Sequence, residues 1–133
     1  MGALSIVLVG DSAPFQKKLT AFLERHLRFE VVGKTANGNE ALALASTRRP
    51  DLILCDLSIS GLSGMEIIKQ LRATLPATRI IAFTLYDNIY YQQAALQAGA
   101  DAFVSKIELG SEMVASIRRL CPDAQVSETS GKS

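Results

Sequence analysis

Two aspartates, a threonine and a lysine stand where short apolar runs of this chain give out. Gly10 and Asp11 follow "LSIVLV", Asp56 ends "DLILCD", Thr84 ends "RIIAFT" and Lys106 ends "DAFVSK". As a set they make coherent chemistry. Two carboxylates from neighbouring strands can hold a hard divalent cation, which for a phosphoryl reaction means Mg2+. Without a cation they repel and shift each other's pKa. A lysine opposite can pair with a carboxylate and then with a phosphoryl oxygen, and a threonine hydroxyl can donate to another. In such a site Asp56 is the nucleophile that accepts a phosphoryl group, and the metal and Lys106 stabilise the charge in transit. Each residue also has a plainer reading. Asp56 can be a strand-end acid, Asp11 a helix N-cap in rivalry with Ser12, Thr84 a partner for a backbone group and Lys106 a solvated cation.

The residues meet only if the runs that carry them are parallel neighbours. Leu4–Val9 is short, apolar and β-branched, as a buried strand is. Phe15, Leu19, Phe22 and Leu23 then share one helical face, and the spacing predicts a helix over 15–27. "FEVVGKT" reads as a second strand. In "NGNEALALASTRR" Asn37 is the N-cap candidate, Glu40 has capping-box spacing, and Pro50 stops the helix. "DLILCD" is the third strand. Ser63 and Glu66 repeat the capping-box spacing ahead of Ile67, Ile68, Leu71 and Leu75, and Pro76 closes that unit. "RIIAFT", a helix over 88–98 ended by Gly99, "DAFVSK" and a last helix over Leu109–Leu120 complete the pattern.

Strand and helix alternate throughout, with near-continuous apolar strands. That predicts an α/β fold, a doubly wound five-stranded parallel sheet with five helices in the flavodoxin-like order 2-1-3-4-5. Ligands of such sheets bind beyond the carboxyl ends of the strands, where these residues fall. Residues 1–121 form the predicted domain, and the polar, patternless stretch 122–133 is a tail or the beginning of a linker.

Composition excludes other classes. The chain has 133 residues, 48% hydrophobic and 20% charged, with a net charge of +1. That fits one globular domain and gives no electrostatic case for nucleic acid or a membrane surface. The pairs Arg48-Arg49 and Arg118-Arg119 read as solvated helix ends. Two cysteines are no disulfide framework: Cys55 lies in an apolar run as a buried free thiol, and Cys121 is given no role. A lone histidine, His26, ends a helical pattern and offers no metal cluster. No apolar run reaches membrane-spanning length and no signal pattern opens the chain, which together with free thiols points to the cytoplasm. "VGDSAPF" lacks the G-x-G spacing of a phosphate loop, and Ser58, not a second aspartate, stands two residues after Asp56. Both argue against a turnover enzyme.

Over roughly residues 4–120 the chain resembles the receiver domain of a two-component response regulator, with a feel of the helix-turn-helix regulators. The resemblance implies that Asp56 is phosphorylated by a histidine kinase or a small phosphodonor. It implies that Asp11 and Asp56, with the backbone carbonyl of Ser58, hold Mg2+, and that Thr84 and Lys106 are the hydroxyl and lysine of the site. Phe103 matches an aromatic that turns inward on activation, though plain core is its other reading. Helix 4, strand 5 and helix 5 would form the output face, which is also a homodimer surface. Tyr90 and Tyr91 begin helix 4; helix packing is expected to claim at least one. The chain departs from the family at Gly10, where a first acid is usual, which weakens the Mg2+ site. Ile59, Ser60, Leu85 and Ile107 also differ from the usual residues. Two functions follow. One is a phosphorylation-controlled switch; the other is a degenerate receiver that works as a phosphorylation-independent interaction or dimerisation module.

Overall fold

A computed structural model of the chain describes residues 3–10, 13–57, 64–84, 89–105 and 109–122. Among them run β1 (Leu4–Val9), α1 (Ala13–Glu24), β2 (Phe29–Thr35), α2 (Gly38–Arg48), β3 (Leu52–Asp56), α3 (Gly64–Thr74), β4 (Arg79–Thr84), α4 (Ile89–Ala98), β5 (Ala102–Ser105) and α5 (Leu109–Leu120). The strands form one sheet in the order β2-β1-β3-β4-β5. Every pairing is parallel. The predicted architecture holds.

Alternation along the strands splits the core into two layers. Ile6, Leu8, Leu52, Leu54, Ile81 and Phe83 face α1 and α5, where Leu19, Leu23, Met113 and Ile117 meet them. Val7, Val9, Ile53, Cys55, Ile80 and Ala82 face α2, α3 and α4. Each fully buried leucine or isoleucine contributes roughly 2 kcal/mol, so these layers dominate the stability. Helix α2 buries only Gly38, Ala41 and Ala45. Its ends therefore matter more. Asn37 accepts bonds from Asn39 N and Glu40 N at 2.8 and 3.1 Å. Arg49 closes the helix in the left-handed region, φ 46°.

The structure corrects three local expectations. Helix α1 stops at Glu24, not residue 27. Arg25 N and His26 N bond to Phe22 O and Leu23 O, a tightened last turn that lets Leu27 stay buried while Phe29 pairs beside Leu4. The capping box at Asn37 is half made. The Glu40 carboxylate accepts from the Thr35 hydroxyl, and that hydroxyl also takes the Asn37 N–H. Tyr90 and Tyr91 are both exposed, at 80% and 40%. Only Ala95 of α4 is buried, so neither ring is part of the core. Ser12 and Ser63, proposed as caps, lie outside the described residues.

A polar cluster pins the amino-terminal edge of the sheet. Arg72, near the end of α3, donates to Gly99 O at 3.0 Å, Pro76 O at 2.8 Å, Thr78 O at 2.7 Å and Asp101 Oδ2 at 2.6 Å. Asp101 Oδ2 also accepts from Ile80 N. At the other edge, α3 begins hard against β3. A Cβ at Gly64 would stand 2.5 Å from Leu57 Cα and 2.9 Å from its carbonyl oxygen. Backbone cannot yield as a side-chain tip can. Gly64→Ala is therefore expected to cost roughly 2–3 kcal/mol, read as a lower urea midpoint at unchanged slope; a loss below about 0.5 kcal/mol would contradict this contact.

Candidate functional site

β3 is buried along its whole length and ends in Asp56, itself 1% exposed. The β1–β3 register pairs Val9 with Cys55, so Gly10 comes alongside Asp56. In the β3–β4 register Asp56 pairs with Phe83, which sets Thr84 one residue further out. Thr84 is fully buried and pairs in turn with Ser105 at the end of β5. The ladder runs one step past each strand. Gly10 N donates to Thr35 O at 2.9 Å, and Leu57 N to Phe83 O at 3.0 Å. Asp56, Thr84 and the glycine that precedes Asp11 thus gather at the carboxyl edge. Asp11, Ser58 and Lys106 lie outside the described residues, as do Ile59, Ser60, Leu85 and Ile107. Phe103 is half-buried in β5 and packs against the α2–α4 layer.

Sequence reasoning missed Gln16. It projects from α1 back over the end of β1, and its Nε2 donates to Gly10 O at 3.0 Å. A Cβ at Gly10 would lie 3.2 Å from that nitrogen, 3.5 Å from Asp56 Cβ and 3.8 Å from Asp56 Oδ2. Gly10 is buried beneath this amide. No periodicity marks Gln16, since it sits among the polar positions of α1.

Burying a carboxylate this deeply is costly unless cations or donors compensate it. Its field reaches Cys55. Full burial in the apolar layer, with the Asp56 charge as the second cause, pushes the Cys55 thiol from 9.0 up to about 12. Half-burial raises Cys121 as well; Arg79 opposes this, and Asp51 and Asp101 add to it. Among the described residues no three histidine, cysteine or acidic side chains cluster as metal ligands. The described donors at this edge are hard oxygens, the Asp56 carboxylate and the Thr84 hydroxyl. That chemistry fits a magnesium ion better than a thiophilic metal.

A parallel sheet of this order, with a carboxylate ending its central strand, defines a class. The chain belongs to the response regulator receiver domains: the model of that family matches residues 6–118. It is a receiver domain of two-component systems, signalling proteins that are generally not turnover enzymes. Over 111 residues it is 37% identical to the uncharacterized transcriptional regulatory protein YhcZ of Bacillus subtilis, covering 84% of this chain and 52% of that protein. It is 28% identical to the response regulator protein VraR of Staphylococcus aureus, covering 87% of this chain and 56% of VraR. The chain therefore spans about half the length of these curated relatives. A LuxR-family two-component response regulator from Aurantimonas sp. superposes with a TM-score of 0.85 at 27% identity, covering 93% of this chain and 89% of that one. The signal receiver domain of the NarL regulator from Mycobacterium tuberculosis gives 0.82 at 25% identity, covering 90% and 96%. Receiver domains generally bind Mg2+ at their acidic pocket and typically interact with histidine kinases. Among the described residues no helix is long and apolar enough to cross a membrane.

The Cys55 thiol predicts a pH dependence. Its folded pKa, about 12, lies above the ordinary 9.0, so the folded state holds the proton that the unfolded state releases. This stabilisation is complete below pH 9 and is lost as pH rises toward 12. Between these limits urea-derived stability should fall by about 1 kcal/mol per pH unit relative to Cys55→Ala, with parallel curves counting against it.

Proposed function

We propose that this domain is a phosphorylation-controlled switch whose phosphoacceptor is Asp56. The observation that carries the reading is the placement of a buried carboxylate at the end of the central strand, between Gly10, just past β1, and Thr84 of β4. An Asp56 oxygen attacks phosphorus. The P–N bond of a phosphohistidine, or the bond to the leaving group of a small phosphodonor, breaks, and the leaving group keeps the electron pair. The product is an aspartyl phosphate. Asp11, Asp56 and the Ser58 carbonyl would hold Mg2+, which when bound neutralises charge on the phosphoryl oxygens. Lys106 pairs with one of those oxygens and the Thr84 hydroxyl donates to another.

The response then runs outward. Thr84 moves toward the new charge, and Phe103 moves inward behind it. Phe103 lines a groove of about 360 Å³ between α4 and α5, with Gln92, Leu96, Glu112, Ser116 and Arg119. At the start of α4, Ile89 and Tyr90 are more than half exposed. This supports the α4–β5–α5 face as the output surface and as a homodimer contact. A histidine kinase is the input, and the domain works in the cytoplasm. Residues 1–121 act as the receiver and 122–133 as a tail or the start of a linker; residues 123–133 lie outside those described. The longer relatives named as transcriptional regulators support an output in transcription, without nucleic-acid contact by this domain itself.

Gly10, with Gln16 over it, favours a second reading, a degenerate receiver that is a phosphorylation-independent interaction module. Intact-mass measurement separates the two. With Mg2+ and a small phosphodonor, the protein should gain about 80 Da, and Asp56→Asn should gain nothing. No gain, with the phosphodonor or with a cognate kinase, leaves the degenerate module standing.

A further inference from the structure

We propose that Gln16 is a positioning residue of the Asp56 site: its carboxamide fills the space that a side chain at Gly10 would take and sets a neutral group there in place of a second charge. The inference rests on the reading of Asp56 as a metal-assisted phosphoacceptor and deepens it. Three observations meet at one point. The glycine is buried, the amide nitrogen lies 3.2 Å from its missing Cβ, and the Asp56 carboxylate lies 3.8 Å from the same position. The amide is held there by its 3.0 Å bond to Gly10 O. Its helix starts at Ala13, so the side chain hangs over the edge from the first turn.

The charge of this group decides what the site does with a cation. A carboxylate facing Asp56 repels it when no cation is bound and helps to clamp one when it is. A carboxamide does neither, though its oxygen remains a weak ligand. Glutamate has the same length as glutamine. In Gln16→Glu the carboxylate cannot donate to Gly10 O as the amide does; freed from that carbonyl, it is drawn instead to a cation bound beside Asp56, from the helix rather than the strand. By the same geometry, an aspartate at position 10 crowds the amide, whose nitrogen stands 3.2 Å from the added Cβ. Gly10→Asp should gain less from Mg2+ in the presence of Gln16 than in its absence.

Mg2+ titration by calorimetry on the full chain, with thermal melts in Mg2+ and in chelator, tests this. Gln16→Glu should bind Mg2+ roughly tenfold more tightly than wild type, the scale of one added charge near the ion. It should also melt lower in chelator and recover with Mg2+, and Asp56→Ala should erase the gain. A side chain with a merely structural role gives no gain in affinity, and wild-type or weaker binding by folded Gln16→Glu overturns the proposal. A gain that survives Asp56→Ala also overturns it. If Gln16→Glu does not fold, the pair of Gly10→Asp backgrounds decides: a larger gain alongside Gln16→Ala supports occupancy of the space, and equal gains overturn it. The mass measurement separates this from the parent reading. A metal gain without phosphorylation of wild type retains Gln16 and removes the switch; phosphorylation without the metal gain does the reverse.

Discussion

The inner strands of this parallel sheet are covered on both faces, with β3 buried along its whole length, and most of this molecule follows from that. Backbone groups satisfy one another in the ladders, and the side chains between them must be apolar. Polar chemistry is pushed to the strand ends. Parallel pairing then sends every carboxyl end to one edge and every amino end to the other. The two edges are used differently. At the amino edge the Arg72 guanidinium donates to four carbonyls and to Asp101. At the carboxyl edge stands the buried Asp56 carboxylate.

The same burial that fixes Asp56 shapes its neighbours. Cys55, one residue inward, is held as a thiol by the apolar layer and by the aspartate's charge. Gly64 brings the start of α3 within backbone contact of Leu57, directly after the aspartate. The helix that follows the site is thus locked to the strand that carries it. Across from Asp56, the Gln16 amide donates to Gly10 O and stands 3.2 Å from where a Cβ at Gly10 would lie. A helix residue thus stands beside the strand ends that carry the site.

Much of the fold was legible in the residues. Apolar runs such as "DLILC" and "RIIAF" are too short for helices and too continuous for half-exposed strands, so they read as buried parallel strands. The helical faces at Ile67, Ile68 and Leu71, and at Met113, Val114 and Ile117, are buried as their spacing predicts. Boundaries were less legible. The end of α1 depends on where β2 must rejoin β1, a long-range demand that helical periodicity does not encode. Thr35 takes the Asn37 amide because β2 delivers its hydroxyl there, and a capping box is a local pattern that takes no account of a preceding strand. The two tyrosines are exposed because α4 rests on alanine, which brings little of the helix surface into the core.

The order of residues alone determined the α/β class, the sheet order and the identity of Asp56 and Thr84 as strand-end groups. Those depend on period, length and residue type, which are local or simply repeated. Only the tertiary structure decided what stands across from Asp56. The contact of Gln16 with Gly10 joins a helix to a strand end by chain reversal, and its 3.2 Å approach to the missing Cβ is a fact of packing. No spacing rule records it, because a polar side chain on a half-exposed helix face has the same sequence signature whether it meets solvent or fills a gap.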